Sequence, residues 1–260
     1  SLARTEVNAT SSVFDWQTRN LTARWNHAFS ERLFANLIAV YSSYTPTITN
    51  PDSANAFELK SGLVYKNIKL DLGYVAGRHK VDAGISGIRY DIQPGDLQPT
   101  LASSNINPLK LQSEQGLEAA AYWNHEIEVS KGFSVMYGLR YSWFAALGPY
   151  RVNQYEPVSP RDPTTISGGT DYTTGKIIQS YNGFEPRLVA RLNLTATTSL
   201  KFSFNRMYQY LQLISNTTAA LPTDRWKISD AYLKPQFGDQ ISLGIFKKKK
   251  KDTYETSLEL

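Results

Sequence analysis

From Leu188 onward the chain alternates. Leu188, Ala190, Leu192 and Leu194 fall on one side of an extended segment, and Arg187, Val189, Arg191 and Asn193 fall on the other. Residues 197–199 turn the chain, and Leu200, Phe202 and Phe204 then alternate with Lys201, Ser203 and Asn205. A period of two means strands with one apolar and one polar face. The same period runs through the rest of the sequence. Residues 12–29 predict a strand with Leu21, Ala23 and Trp25 in phase, and residues 32–45 return with Leu33, Ala35, Leu37, Ala39 and Tyr41 in phase. Residues 56–75 set Ile68, Leu70, Leu72 and Tyr74 against Lys69, Asp71 and Gly73. Residues 80–92 set Val81, Ala83 and Ile85 against Asp82, Gly84 and Ser86. Residues 115–129 set Leu117, Ala119, Ala121 and Trp123 against Glu118, Ala120, Tyr122 and Asn124. Residues 133–147 set Val135, Tyr137, Leu139, Tyr141 and Trp143 against Met136, Gly138, Arg140 and Ser142.

The connections alternate in length. Short turns fall near residues 30, 77, 131, 198 and 250, whereas residues 45–55, 93–114, 148–180 and 216–235 read as long polar loops. All the short turns then lie at one end of an up-and-down meander. About ten strands cover more than half of the chain, against a usual strand share of about 20–25%. That excess suits a transmembrane barrel, with its short turns on one side and longer loops on the other. A soluble sandwich or barrel shares the periodicity but packs its apolar face into a core. The apolar face here mixes Trp25, Tyr74, Trp123, Tyr137, Tyr141 and Trp143 with Leu, Ala and Val. Such rings suit a membrane interface better than a dry core, where their polar tips need partners. The expected fold is therefore all-β: an antiparallel up-and-down transmembrane β-barrel.

Composition sharpens this picture. The chain has 260 residues with 16 Tyr, 11 Phe and 5 Trp, no Cys, and a net charge of +5. No run of about 18 apolar residues exists, so no transmembrane helix is expected; a barrel escapes that test. Without cysteine there is no disulfide framework and no thiolate metal site. Five lysines form one run at residues 247–251, read as a solvated short turn, and without it the chain is near neutral, so no nucleic-acid surface is read. The first residues (SLARTEVNAT) lack the pattern of a signal peptide, as in a cytosolic protein or in an internal or mature piece of a longer one.

Candidate chemistry is sparse. The three histidines, His27, His79 and His125, all lie near short turns, away from the long loops where a barrel hydrolase would place a Ser-His or Asp-His set. No catalytic residue, metal-ligand spacing, phosphate loop or cofactor motif is expected. The polar faces carry Arg24, Lys69, Asp71, Asp82, Glu118, Arg140, Arg187, Arg191 and Lys201. In hydrocarbon a mid-membrane Arg or Lys costs about 2–4 kcal/mol. Arg24, Glu118, Arg140, Arg187, Arg191 and Lys201 are therefore expected to face the lumen, as salt-bridge partners or along a ligand path. Long loops on a rigid scaffold carry recognition. The ligand-binding candidates there are Tyr150, Arg151, Tyr155, Arg161 and Tyr172 in one loop, and Arg225, Trp226 and Tyr232 in another. Self-packing of the loops is the plainer role for the same residues.

From residue 184 the pattern becomes specific. FEPRL at 184–188 is followed by NRMYQYLQLISNTT at 205–218, LPTDRWK at 221–227 and LKPQFGDQISLGIFK at 233–247. In order and spacing these resemble the late barrel strands of TonB-dependent receptors of the Bacteroidetes. The segments EAAAYWNHEI at 118–127 and GLRYSWFAALGPY at 138–150 resemble the same family more weakly. The resemblance implies a 22-stranded outer-membrane barrel with a plug domain in its lumen, energised through a TonB box. It implies uptake of a large ligand: an iron chelate, a glycan or a peptide. Neither plug nor TonB box is recognisable in this chain, so residues 1–260 are expected to be a fragment of the barrel domain. The expected partners are outer-membrane lipid, and plug and TonB through a part missing here. A surface lipoprotein is a further candidate, as in the glycan-uptake branch. The alternative is a barrel without transport, a scaffold or partner-binding subunit of an outer-membrane complex.

Overall fold

A computed structural model describes residues 12–157, 159–215, 224–248 and 254–260. Among the described residues fifteen strands follow one another: β1 (Val13–Ala28), β2 (Leu33–Asn50), β3 (Phe57–Ala76), β4 (His79–Pro99), β5 (Leu109–Lys110), β6 (Glu114–Ser130), β7 (Phe133–Leu147), β8 (Tyr150–Tyr155), β9 (Ile166–Tyr172), β10 (Ile177–Thr195), β11 (Thr198–Gln209), β12 (Leu211–Ile214), β13 (Arg225–Ile228), β14 (Gln236–Lys248) and β15 (Glu255–Glu259). One 11-stranded sheet runs β1-β2-β3-β4-β6-β7-β10-β11-β14-β15, with β5 on the flank of β4. Every neighbouring pair is antiparallel, as in an up-and-down meander. The turns at 29–32, 77–78, 131–132 and 196–197 therefore share one end, and the connections after β2, β4, β7 and β11 share the other. Gly77 takes a φ of 59°, the left-handed conformation that its two-residue turn needs.

The sequence reading underestimated the strands and overestimated the loops. β2 runs on to Asn50 and β4 to Pro99, five and seven residues past the ends expected from the pattern. Pro and Thr obscured the ends of these strands, yet their backbone stays paired within the sheet, Pro46 opposite Trp16 and Pro99 opposite Phe57. The 148–180 segment is no plain loop: β8 and β9 form a hairpin of their own, and β10 starts at Ile177. Likewise β13 lies inside the segment read as a loop at 216–235 and pairs with β12, which precedes it. The tail at 1–10, part of the 216–235 segment, Lys249 to Lys251 and the turn near 250 lie outside the described residues.

The register carries one face across the whole sheet. Trp25 stands opposite Leu37, Leu37 opposite Leu70, Leu70 opposite Ile85, Ile85 opposite Ala121, Ala121 opposite Tyr141, and Tyr141 opposite Phe184. This apolar face is bare: Ile68, Ile85 and Leu243 are 57%, 58% and 53% exposed. The opposite face holds charged and polar groups, and there Glu185 is only 4% exposed and Ser142 fully buried. A soluble sandwich would show the reverse. The apolar band covers residues 68–76 of β3, 79–87 of β4 and 117–127 of β6, close to the about 9–11 residues that a tilted strand needs to cross a bilayer. Above it the same face turns polar. Lys66 and Arg89 pair with Asp91 at 3.3 and 3.2 Å, and Arg89 also donates to Gln115 at 2.6 Å. Ion pairs of this kind belong in water, so they mark where hydrocarbon ends.

The charged face is closely fitted rather than empty. The Tyr122 ring lies over Gly84, where an added Cβ would sit 2.6 Å from the ring, and the Tyr122 hydroxyl bonds Asp71. The buried cluster of Tyr90, Ile92, Phe144, Ala146, Tyr210 and Ile228 sits on this face at the long-loop end. Phe144 stacks on Tyr210 at 4.9 Å, and Tyr210 shares a 2.8 Å hydrogen bond with Ser142. The core of the protein is thus the junction between sheet and loop elements.

Candidate functional site

Two strand pairs rise from the long-connection end. The β8–β9 hairpin sets Tyr150 opposite Tyr172 and Arg151 opposite Asp171, with an ion pair of 2.8 Å between the latter two. Its tip is fixed by Asp162, which accepts the Thr164 amide at 2.9 Å and donates its own amide to the Thr165 hydroxyl at 3.2 Å. The bond from the Thr164 amide also holds the Asp162 carboxyl below its usual range. The second pair, β12–β13, is anchored by charge. Lys227 reaches Glu114 and Asp230, each at 2.7 Å, and the Ile228 amide donates to Glu114 at 3.2 Å. Tyr181 donates to the Asp230 carbonyl at 2.7 Å, tying β10 to the same segment.

Between the two lies a small cleft of about 70 Å³. Tyr150, Arg151, Asn153, Tyr155, Asp230 and Tyr232 contribute its polar lining, and Ile178, Ile228 and Leu147 its apolar floor. Tyr232 closes one side: its hydroxyl bonds the Asn153 carbonyl, its ring meets Tyr155 at 5.8 Å, and Arg161 lies over it at 4.3 Å. Five of the eight loop residues singled out from the sequence, Tyr150, Arg151, Tyr155, Arg161 and Tyr232, thus meet in one assembly. Tyr172 supports Tyr150 from the neighbouring strand. Arg225 and Trp226 stand on β13 and line an adjoining cleft with Ile214 and Tyr150, while Trp226 also packs against the buried cluster. Sequence reasoning missed Glu114, Lys227 and Asp230, which hold the assembly together. Glu114 shares its phase with Glu118, four residues on, and that was the available signal.

Burial pushes the Glu114 carboxyl up against the pull of Lys227. Burial acts to lower the Lys227 ammonium, but Glu114 and Asp230 outweigh it and hold the group above its usual range. A raised lysine stabilises the fold below its unfolded value, about 10.4, and loses that contribution as pH rises through the folded value. A raised carboxyl works in the same direction, because protonation of Glu114 favours the folded form. Mild acid should therefore leave the loop assembly closed, and strong alkali should open it. Lys227→Met leaves Glu114, 7% exposed, buried without its cation. The expected cost is about 3–5 kcal/mol, read as protease cleavage within β12–β13 while the barrel strands stay protected.

Below the cleft, on the charged face, Arg140 bridges Glu118 at 3.2 Å and Glu185 at 3.4 Å, and Tyr90 donates to Glu118 at 2.9 Å. Arg187 keeps a buried Nε without a hydrogen-bond partner. Arg191 stands directly opposite Lys201, and the Lys201 ammonium lies 4.0 Å above the Phe246 ring. Arg24 shares this face on β1, opposite Ile38, and is exposed. The histidines stand at the short-turn end on the apolar face. His79 Nδ1 lies 3.0 Å from His125 Nε2, His125 Nδ1 lies 2.8 Å from the Tyr137 hydroxyl, and His27 sits between Trp25 and Phe29. Among the described residues no group of three or more His, Asp or Glu side chains is placed to hold a metal ion.

An antiparallel meander with a bare apolar face, a charged opposite face and short hairpins at one end has the architecture of a membrane β-barrel. The family described as TonB dependent receptor-like, beta-barrel, matches residues 2–251. The chain belongs to that family and is an outer-membrane barrel protein. No curated protein matches it in sequence. Among solved structures, the ferric yersiniabactin uptake receptor FyuA from Yersinia pestis is similar at 13% identity and a TM-score of 0.52, over 92% of this chain and 34% of that one. The copper transporter OprC is similar at 10% identity and a TM-score of 0.63, over 90% and 38%. The ferric-catecholate import receptor Fiu from E. coli K12, in its open form, is similar at 14% identity and a TM-score of 0.59, over 96% and 40%. The likeness is one of fold, and the chain spans between about a third and two fifths of the length of these relatives.

Proposed function

We propose that this chain is part of a receptor that takes up a large ligand across the outer membrane, and that the ligand is first held in the cleft between the β8–β9 and β12–β13 pairs. The observation that carries the reading is the cleft itself: aromatic and cationic side chains from two separate connections converge at the long-loop end of a membrane sheet. Tyrosine rings suit sugar or chelator faces, and arginines suit carboxylates. FyuA and Fiu are receptors for ferric chelates and OprC is a copper transporter, which supports uptake as the class of activity. An iron chelate, a glycan and a peptide all fit this chemistry.

The sheet does not close on itself, since β1 and β15 each pair on one side only among the described residues. In this reading further strands complete a larger barrel of 22, a plug domain fills the lumen against the charged face, and TonB drives transport through it. The segments at 184–188 and 205–247 support a receptor of the Bacteroidetes type, whose glycan-uptake branch adds a surface lipoprotein as partner.

The test uses the full-length receptor in cells offered labelled ferric chelates, oligosaccharides or peptides. Tyr150→Ala combined with Tyr232→Ala should weaken uptake of one of these by about 2 kcal/mol or more in binding, with barrel folding unchanged. Undiminished uptake of every ligand that the parent imports would remove the cleft from the path.

A further inference from the structure

β8 pairs with β9 on one side, and its other side borders the cleft. Tyr150, Arg151, Val152, Asn153 and Tyr155 of β8 line the cleft, and among the described residues none of β9 does. The Glu156 amide donates to the Thr165 carbonyl, just before β9, at 2.8 Å. In an antiparallel ladder the residues that bond the partner alternate with residues whose amide and carbonyl turn away from it. Arg151, Asn153 and Tyr155 therefore turn their backbone groups to the cleft side. Two of them are met there by side chains. The Arg151 amide donates to Gln112 Oε1 at 2.8 Å, and Gln112 Nε2 donates back to the Arg151 carbonyl at 3.3 Å. The Asn153 carbonyl accepts the Tyr232 hydroxyl.

A primary amide that accepts from and donates to one residue does what the amide and carbonyl of a facing strand residue would do. Tyr232 supplies the next donor two residues along, about 6.6 Å at a strand rise of about 3.3 Å per residue. Gln112 and Tyr232 thus occupy the positions of a neighbouring strand without forming one. Both side chains are exposed, and rotation about their χ bonds frees the edge. An open strand edge is a template for another extended chain. With both side chains in place the cleft, about 70 Å³, is too small for such a chain, so they must swing out for it to enter. From Arg151 to Tyr155 the edge spans about 13 Å at the same rise, the length of about five residues. Leu147, Ile178 and Ile228 then offer an apolar floor to the side chains that point inward. Among an iron chelate, a glycan and a peptide, the peptide alone carries an amide and a carbonyl at this repeat.

We infer that the cleft takes up an extended peptide by strand addition to β8, with the peptide backbone replacing the Gln112 amide at Arg151 and the Tyr232 hydroxyl at Asn153. This rests on the reading that the cleft holds the receptor's ligand, and it narrows that ligand to a peptide. The experiment offers the purified full-length receptor a pool of synthetic heptapeptides of randomised sequence, and mass spectrometry identifies those retained. One of them is then remade with a single N-methyl group at each position in turn. Methylation at alternate positions should weaken binding tenfold or more, and at the positions between should change it little. Gln112→Ala and Tyr232→Phe each remove a competitor for the edge and keep the cleft wall, so each should bind the peptide severalfold more tightly, with heat-modifiable migration unchanged. Side chains that only shape the cleft would give weaker binding when lost. An N-methyl scan without alternation, or weaker binding by both variants, overturns strand addition. Retention of no peptide by a receptor that binds a ferric chelate or an oligosaccharide through Tyr150 and Tyr232 overturns the peptide and leaves the cleft as the ligand site. Peptide binding that Tyr150→Ala with Tyr232→Ala does not change, or no binding of any of the three, overturns both.

Discussion

Ile85→Arg is expected to block barrel assembly, although Ile85 is 58% exposed. In water such a substitution falls within about 0.5 kcal/mol of neutral. Ile85 lies within the apolar band, six residues from the start of β4, between Leu70 and Ala121. An arginine at that depth faces hydrocarbon and costs about 2–4 kcal/mol. Snorkelling recovers part of that only near the strand ends. Heat-modifiable migration of the full-length protein, extracted from membranes, reads the outcome. Arg191→Leu is the matched control, because it adds an apolar group to the charged face, and it should leave folding intact. Normal assembly of Ile85→Arg together with misassembly of Arg191→Leu would mean that the two faces are inverted. Leu192 makes a weaker probe, since it sits three residues from the end of β10, where the penalty falls toward about 0–1 kcal/mol.

The sheet was legible in the sequence because a period of two over many strands admits few arrangements. Leu188 to Leu194 and Leu200 to Phe204 sufficed to set the faces of β10 and β11, but the turn between them lies at 196–197 and not at 197–199, so the register came from the structure. The loop assembly was less legible. β8, β9, β12 and β13 are short and lack a clean alternation, so their Tyr and Arg residues read as ligand-binding candidates or self-packing side chains on plain loops. Their pairing depends on contacts far along the chain, such as Lys227 with Glu114, and no local pattern announces those. Glu118 and Arg140 could be assigned a face from phase alone. That Glu185 completes their cluster required the register of β10 against β7, where Glu185 stands opposite Arg140.

That cluster makes the second large prediction. The Arg140 side chain is 21% exposed, and those of Glu118 and Glu185 are 12% and 6% exposed. Two carboxylates share one guanidinium, with Tyr90 as an added donor to Glu118. Arg140→Leu removes the only cation in contact with either acid among the described residues and leaves two like charges facing each other under little water. Breaking a buried pair from one side costs about 3–5 kcal/mol. The Arg206–Asp239 pair offers the comparison. It is bidentate, with two bonds of 2.6 Å, but its side chains are 36% and 37% exposed, so its loss should cost no more than about 1 kcal/mol. The temperature at which heat-modifiable migration is lost should therefore fall sharply for Arg140→Leu and barely for Arg206→Leu. Adding Glu118→Gln and Glu185→Gln to Arg140→Leu removes the unpaired charges and should recover much of the loss, since what destabilises is the stranded carboxylate rather than the missing bridge. Equal stability of Arg140→Leu and the parent would show that water or another chain already serves those carboxylates, and the bridge would then be incidental to the fold.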